Sequence, residues 1–358
     1  MNLTLTLLLL SMLAACSAKQ IASQSASASQ SANPSSNLNA GQSPVRTPAA
    51  DPEAGIGLEG IPLRSYEFET VTTGSNGAVG DRRKARARYY VEEISGARLE
   101  MVEVPAGTFS MGSDPIRNAP LYEDKKSDEQ PVHQVNVRSF YMGRFEVTQA
   151  QWRAVASLPK VNRELDPDPS HFKGDDLPVE QVSWKAAIEF CARLSRATGK
   201  TYRLPSEAEW EYGCRAGTNS EFAFGQSITP ELVNYNDAAK RYETPPKGGR
   251  QRTTPVGSLG VANALGLYDM HGNVGEWCLD VAADDYVGAP KDGTDWKAPA
   301  RARKHNSNDV RYARGGSWAS ASEVCRSAAR GLEGAELKRG SVGFHVVEQR
   351  SDPKDTRD

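Results

Sequence analysis

The stretch TYRLPSEAEWEYGCRAG, Thr201 to Gly217, decides how the rest of the chain is read. Ser206 stands three residues before Glu209, the spacing of a capping box. The serine hydroxyl accepts the amide of the third helical residue while the glutamate reaches back to the serine amide, so two orphan donors are satisfied at once. The spacing predicts a helix from Glu207 onward with Trp210 facing the core. Glu207, Glu209 and Glu211 fall near its positive end, where solvated carboxylates are the expected arrangement. Two further helices announce themselves in the same way. Thr148 and Gln151 frame QAQWRAVA, and Ser183 precedes WKAAIEFCARLSRATG, in which Trp184, Ala187, Ile188, Cys191 and Leu194 recur at helical spacing until Gly199 stops the run.

Strands read out on either side. LEMVEVPAGTFSMGS gives a strand, a Pro-Ala-Gly turn and a second strand. Upstream, SYEFETVTT (Ser65 to Thr73) and ARARYYVEEI (Ala85 to Ile94) flank the turn signal GSNGAVGD, which predicts a hairpin packed at the edge of the main domain. Beyond Gly217 the pattern dissolves into short strands and long Gly, Pro and Asn loops, and loops of such length usually carry function.

The chain has 358 residues, enough for one large domain, and its 43 basic and 45 acidic residues nearly cancel. No stretch concentrates lysine and arginine enough to attract a phosphate backbone, so nucleic acid is excluded as a partner. The first sixteen residues, MNLTLTLLLLSMLAAC, form an apolar run too short for a permanent membrane helix and read as an export signal. The LAAC ending resembles a bacterial lipobox, which implies cleavage before Cys16 and lipidation of that cysteine; no Lys or Arg precedes the apolar run. Ser17 after the cysteine points to the outer membrane, facing the periplasm. More than one buried acyl chain gives stable anchoring. Residues 17–60 are rich in Ser, Ala, Asn, Gln and Pro and are expected to be a disordered tether. The expected organisation is a signal at 1–16, the tether at 17–60, the hairpin extension at 61–96, the main domain at 97–350 and a disordered tail at 351–358, in a monomer.

Seven phrases carry a resemblance: VPAGTFSMGS, DEQPVHQVNVRSFYMGRFEVTQAQW, LPVEQVSW, TYRLPSEAEWEYGCRAG, ALGLYDMHGNVGEW, ARGGSW and SVGFHVV. In this order they resemble the sulfatase-modifying factor domain, whose best known members are formylglycine-generating enzymes, over about Ala97 to Val347. The resemblance implies an α+β, C-type-lectin-like fold with sparse regular structure, stabilised by calcium. In DMHGNVGEW two carboxylates and a Gly-rich turn suit a hard, oxygen-seeking cation. The resemblance implies ligation by the Asp269 side chain, the carbonyls of Gly272 and Val274, and the Glu276 side chain. The plainer alternative is that Asp269 and Glu276 tie down a turn. A second calcium loop would begin near Asn234, with ligands the sequence does not place.

The family's oxidase implies two cysteines five apart, because paired thiolates hold Cu(I) and present it to a substrate thiol. In RGGSWASASEVCRSAARG the first such position is Ser320. Counting from GGSW, Cys325 is the second thiol; counting back from Ala-Ala-Arg, Cys325 falls off the copper position, and this count is preferred. On either count one thiolate cannot replace two, since a hydroxyl is a hard, un-ionised donor to a soft ion. Gly275 stands where a Trp is expected and Ser341 where an Asn is expected. Ser317 of GGS is retained, though a serine after two glycines more often satisfies backbone.

The five histidines show no metal-binding spacing, and His133 reads as structural. Cys191, Cys214, Cys278 and Cys325 remain after Cys16. The family's partners for Cys191 and Cys214 fall on Val346 and Ser327, so the inherited bridges are broken. A new bridge among Cys214, Cys278 and Cys325 is one expectation, and four reduced, buried thiols the other. Two functions follow. One is an envelope lipoprotein whose domain binds an exported protein, peptide or metabolite as an accessory module in protein maturation. The other is an oxidoreductase, acting on a protein cysteine through Cys325, with Ser320 and Ser317 beside it, or tailoring a peptide or metabolite.

Overall fold

A computed structural model describes residues Gly55, Gly57, 60–113, 128–238, 249–299, Arg303 and 309–349. The export signal with Cys16, most of the tether, the tail and part of the loop after Asn234 lie outside the described residues.

All three helices start where their caps place them. Helix α1 (Gln149–Ala156) has both halves of its capping box, with Thr148 accepting from the Gln151 amide and the Gln151 side chain accepting from the Thr148 amide. Helix α2 (Trp184–Thr198) is capped by Ser183 and stops at Gly199, whose φ of 74° suits glycine. Helix α3 (Glu207–Arg215) has the predicted Ser206–Glu209 box.

The hairpin forms as β1 (Arg64–Thr73) and β2 (Val79–Ile94), with β2 starting six residues earlier than its β-favouring run. It extends the main sheet rather than merely leaning on it, because β2 pairs along β3 (Ala97–Val104). That sheet has six strands in the order β1-β2-β3-β6-β12-β7, where β6 is Phe140–Gly143, β7 is Thr201–Arg203 and β12 is Val347–Gln349. The last strand, β12, lies between β6 and β7, so the end of the domain is built into the middle of the main sheet. The strand after the Pro-Ala-Gly turn, β4 (Gly107–Met111), leaves for a separate pair with β5 (His133–Val137). A four-stranded sheet orders β10 (Arg330–Gly334), β9 (Val310–Arg314), β8 (Gly275–Val281) and β11 (Val342–Gly343), with β8 and β11 parallel.

The largest core lies where α1 and α2 meet the main sheet. Trp152 stacks on Phe190 at 5.5 Å and both meet Phe344 edge-on. A second core gathers Trp210, Met142, Cys214 and Cys278 beneath α3. Here one expectation is corrected. Glu207 and Glu211 are not solvated: they are 1% and 0% exposed and face Arg314, which is itself fully buried. Arg330 adds a second cation on Glu207, and Arg215 a second on Glu211. Helix chemistry alone places carboxylates at a helix start; Arg314 and Arg330 reach them from strands more than a hundred residues away.

Candidate functional site

The GGSWASASEVC segment forms a turn between two strands. After β9, Gly315 and Gly316 take φ of 87° and 68°, and Ser322–Cys325 coil into a single 3-10 turn before β10. Ser317 and Ser320 close the turn on each other: the Ser320 hydroxyl accepts the Ser317 amide at 3.0 Å, the two hydroxyls are 3.0 Å apart, and the Ser320 amide donates to the Ser317 carbonyl at 2.9 Å. The Ser317 hydroxyl also accepts from Ala319. These hydroxyls satisfy backbone and each other. Among the described residues no base that would activate a serine is hydrogen-bonded to either hydroxyl.

Cys325 is fully buried, and burial pushes its thiol up to about 12. A reactive cysteine needs the reverse, a depressed pKa and access. Ser327, the position that the downstream count matches to the partner of Cys214, sits 3.7 Å from the Cys214 sulfur. The proposed bridge among Cys214, Cys278 and Cys325 is corrected: these three and Cys191 are free and buried. Burial raises Cys191 and Cys214 to about 12 and Cys278 well above its usual range, and each thiol packs as a small apolar group. With one buried thiol and a hydrogen-bonded hydroxyl, the donor set does not fit Cu(I).

His271 belongs to the same packing. Its Nε2 accepts the Ala223 amide at 3.0 Å, so Nδ1 carries the proton and donates to the Cys325 carbonyl at 2.7 Å. Burial lowers its pKa to about 4, keeping it neutral. His133 is structural as expected, with Nδ1 at 3.0 Å from the Pro131 carbonyl and its ring against Tyr286.

The Asp269–Glu276 loop lies directly against this turn. Asn273 links them, its carbonyl accepting the Trp318 amide at 2.9 Å. Asp269 takes φ of 55° and its Oδ2 accepts the Gly257 amide at 2.6 Å. Glu276 is fully buried, with Oε2 accepting from Trp210 at 2.8 Å and from His345 at 2.5 Å. Gly272 bridges to Asn234, and the Asn234 side chain donates to the Asn273 side-chain oxygen at 3.1 Å. Glu146 completes the group by accepting the Val274 amide and the Asn273 side chain, and burial, then the charges of Asp269 and Glu276, push its carboxyl well up. Glu276 Oε1 and Asn234 Oδ1 are buried oxygens without a partner, the kind of hard donor a calcium ion takes. Among the described residues no three His, Cys, Asp or Glu converge as a metal cage, so an ion here would rely on amide and backbone oxygens for much of its shell.

The two departures from the family pattern meet in space. The Gly275 amide donates to the Ser341 carbonyl at 2.8 Å, beneath the Gly316 turn. Nearby, the Trp318 indole donates to the Gly340 carbonyl at 2.8 Å and its ring meets Phe172 edge-on at 5.5 Å. Arg252 lies over the other side of Phe172 at 5.6 Å. Glu180 supports Phe172 from below, accepting its amide at 2.8 Å, and its Oε2 is buried without a partner. A cleft of about 540 Å³ opens between residues 173–177 and 250–255, with Arg252 in its lining. Sequence reasoning missed Phe172, Glu180 and Arg252 because no motif marks them; only Trp318 had a signal, its place after GGS.

Fold and turn together define an α+β domain of the formylglycine-generating type. The chain belongs to the sulfatase-modifying factor enzyme 1-like domain family, whose model matches residues 91–350. It is 34% identical over 188 residues to "Chaperone protein LppX" of Paenibacillus barcinonensis, covering 41% of this chain and 64% of that one. It is 29% identical to the formylglycine-generating enzyme of Mus musculus, covering 51% of this chain and 59% of the relative. The "Inactive C-alpha-formylglycine-generating enzyme 2" of Bos taurus is 26% identical over 57% of this chain and 76% of its own length. The chain thus spans about three fifths of the first two relatives. Among solved structures, PvdO from Pseudomonas aeruginosa aligns with a TM-score of 0.58 and 30% identity over 73% of this chain and 98% of its own. Treponema denticola variable protein 1 aligns at 0.57 and 26% identity over 73% and 99%. The family holds both enzymes and members named inactive.

Proposed function

We propose that this chain is a lipid-anchored protein of the bacterial cell envelope whose domain binds an exported polypeptide during its maturation and does not oxidise it. The observation that carries this reading is the thiol turn: Cys325 is buried under Gly316, and Ser320 is spent on closing the turn. A protein cysteine presented to this turn meets no thiolate and no copper donor set. The similarity to a relative named a chaperone and to another named inactive supports a role in handling other chains. The LAAC sequence ending at Cys16 supports the anchor, and no described helix is long and apolar enough to cross a membrane. Loops on a lectin-like frame supply the binding surface.

The test is a Cu(I) titration of the purified protein together with incubation of a cysteine-containing peptide, read by mass spectrometry. No stoichiometric copper and no peptide aldehyde are expected; appearance of the aldehyde would return the chain to the oxidoreductases. The same spectra read the mass of the N-terminal peptide, and an unmodified Cys16 would remove the lipid anchor from the reading.

Calcium at the Asp269–Glu276 loop is part of the proposal, supported by the partnerless oxygens of Glu276 and Asn234. Ligand binding to the folded state alone raises stability by mass action. A chelator is therefore expected to lower the melting temperature, and added calcium to restore it. Equal melting temperatures with and without chelator would remove the ion.

A further inference from the structure

The cleft lined by Arg252 is not explained by the turn or by the cation loop. Its volume of about 540 Å³ lies within the range of ligand sites. Among the described residues the charges that line it do not cancel. Lys173 is neutralised by Asp168 at 2.9 Å, and Asp175 by Arg153. What remains is Arg250, Arg252 and the single carboxylate Asp176, a surplus of one positive charge.

The two arginines differ in what they are free to do. Arg250 is committed to carbonyls, donating to Pro230 at 2.6 Å and Val233 at 3.4 Å. Arg252 is exposed and has no carboxylate partner among the described residues; its guanidinium lies over Phe172, which holds the planar group without using its donors. Its backbone is fixed, because its carbonyl accepts from Asn234 at 3.0 Å. A guanidinium offers a rigid fork that matches a carboxylate with two parallel hydrogen bonds.

The floor supplies an independent observation. Thr253 lines the cleft, is 1% exposed, and its hydroxyl has no hydrogen-bond partner. A buried polar atom left unsatisfied costs roughly 1–3 kcal/mol, a penalty the free protein carries at this floor. Leu177, 5% exposed, gives the same floor an apolar stretch.

We infer that this cleft is a binding site for a peptide segment bearing a carboxylate, with the carboxylate on the Arg252 fork and an adjoining apolar side chain over Leu177. This rests on the reading of the chain as a binding module and names the chemistry of what it binds. A phosphate or sulfate would favour more than one uncommitted cation; a neutral ligand would leave Arg252 unused.

The test uses the full chain in detergent and three hexapeptides carrying a neutral fluorophore, with binding read by anisotropy. The first is Ser-Leu-Asp-Phe-Ala-Gly as its C-terminal amide, the second has Asn for Asp, and the third is the Asn peptide with a free C-terminal carboxylate. The Asp peptide is expected to bind about tenfold more tightly than its Asn counterpart, the size of one charge-assisted hydrogen-bond pair. Arg252→Gln should abolish that preference while leaving the weak binding of the Asn amide unchanged. Preference for the third peptide instead assigns the carboxylate to a chain terminus. Equal binding of all three peptides, a preference that survives Arg252→Gln, or no binding at all overturns the inference. Because no peptide contains cysteine, an aldehyde found in the oxidase assay would sink the non-oxidase reading without touching this result.

Discussion

Gly316 and Cys325 are packed so closely that no side chain fits between them: a β-carbon on Gly316 would lie 2.5 Å from the Cys325 sulfur and 3.0 Å from its α-carbon. Gly316 also holds a φ of 68°. The turn after GGSW and the buried thiol are therefore one rigid unit. Gly316→Ala should cost about 1–2 kcal/mol for a left-handed non-glycine residue and about 1–3 kcal/mol for overpacking. Urea unfolding would show a lower midpoint at unchanged slope, and an unshifted midpoint would mean the thiol has room to move.

The four thiols should be silent in the native protein. Cys191, Cys214, Cys278 and Cys325 are free, buried and raised in pKa, so a thiol reagent is expected to label none of them at neutral pH and all four after unfolding. Prompt native labelling of Cys325 would contradict the burial on which the non-oxidase reading stands.

Arg314 should be far more costly to remove than a surface arginine. It is fully buried and bridges Glu207 at 3.0 Å and Glu211 at 2.5 Å while donating to the carbonyls of Ser327 and Ala328. Breaking a buried pair leaves uncompensated charge and costs roughly 3–5 kcal/mol. Arg82, half exposed and paired with Glu69 at 3.0 Å, should cost less than about 1 kcal/mol. Chemical denaturation of Arg314→Met and Arg82→Met decides the matter; similar losses would mean that the buried network is not what holds α3 to β9.

Glu189 should make the protein acid-labile. Burial alone would raise its carboxyl, but the Arg193 guanidinium and the amides of Val161, Asn162 and Arg163 outweigh it and hold the pKa down to about 2. A depressed folded pKa stabilises above the unfolded value of 4.5, and that contribution is lost as the pH falls from 4.5 toward 2. Glu189→Gln should lower the melting temperature at neutral pH and flatten the decline in that acid window. A variant that keeps the full decline would assign acid sensitivity to other carboxylates.

The helices and the hairpin were legible because their signals are local. Thr148–Gln151 and Ser206–Glu209 place their helix starts by chemistry three residues apart, and Gly199 stops α2 through its own φ. The family was legible for a different reason: blocks such as GGSW and GNVGEW keep their order along the chain. The burial of Glu207 and Glu211 was not legible, since a carboxylate at a helix start looks the same whether water or Arg314 faces it.

By itself the sequence determined the family and an α+β domain, because the blocks that carry them stand in order along the chain. Tertiary structure alone put Ser327 3.7 Å from the Cys214 sulfur and buried Cys325 under Gly316. It alone also packed Trp318 and Arg252 against Phe172, from loops some eighty and sixty-six residues apart. Capping and turn chemistry act over a few residues and are written in order; burial, charge pairing and cleft geometry are made by residues distant in the chain, and only packing brings those together.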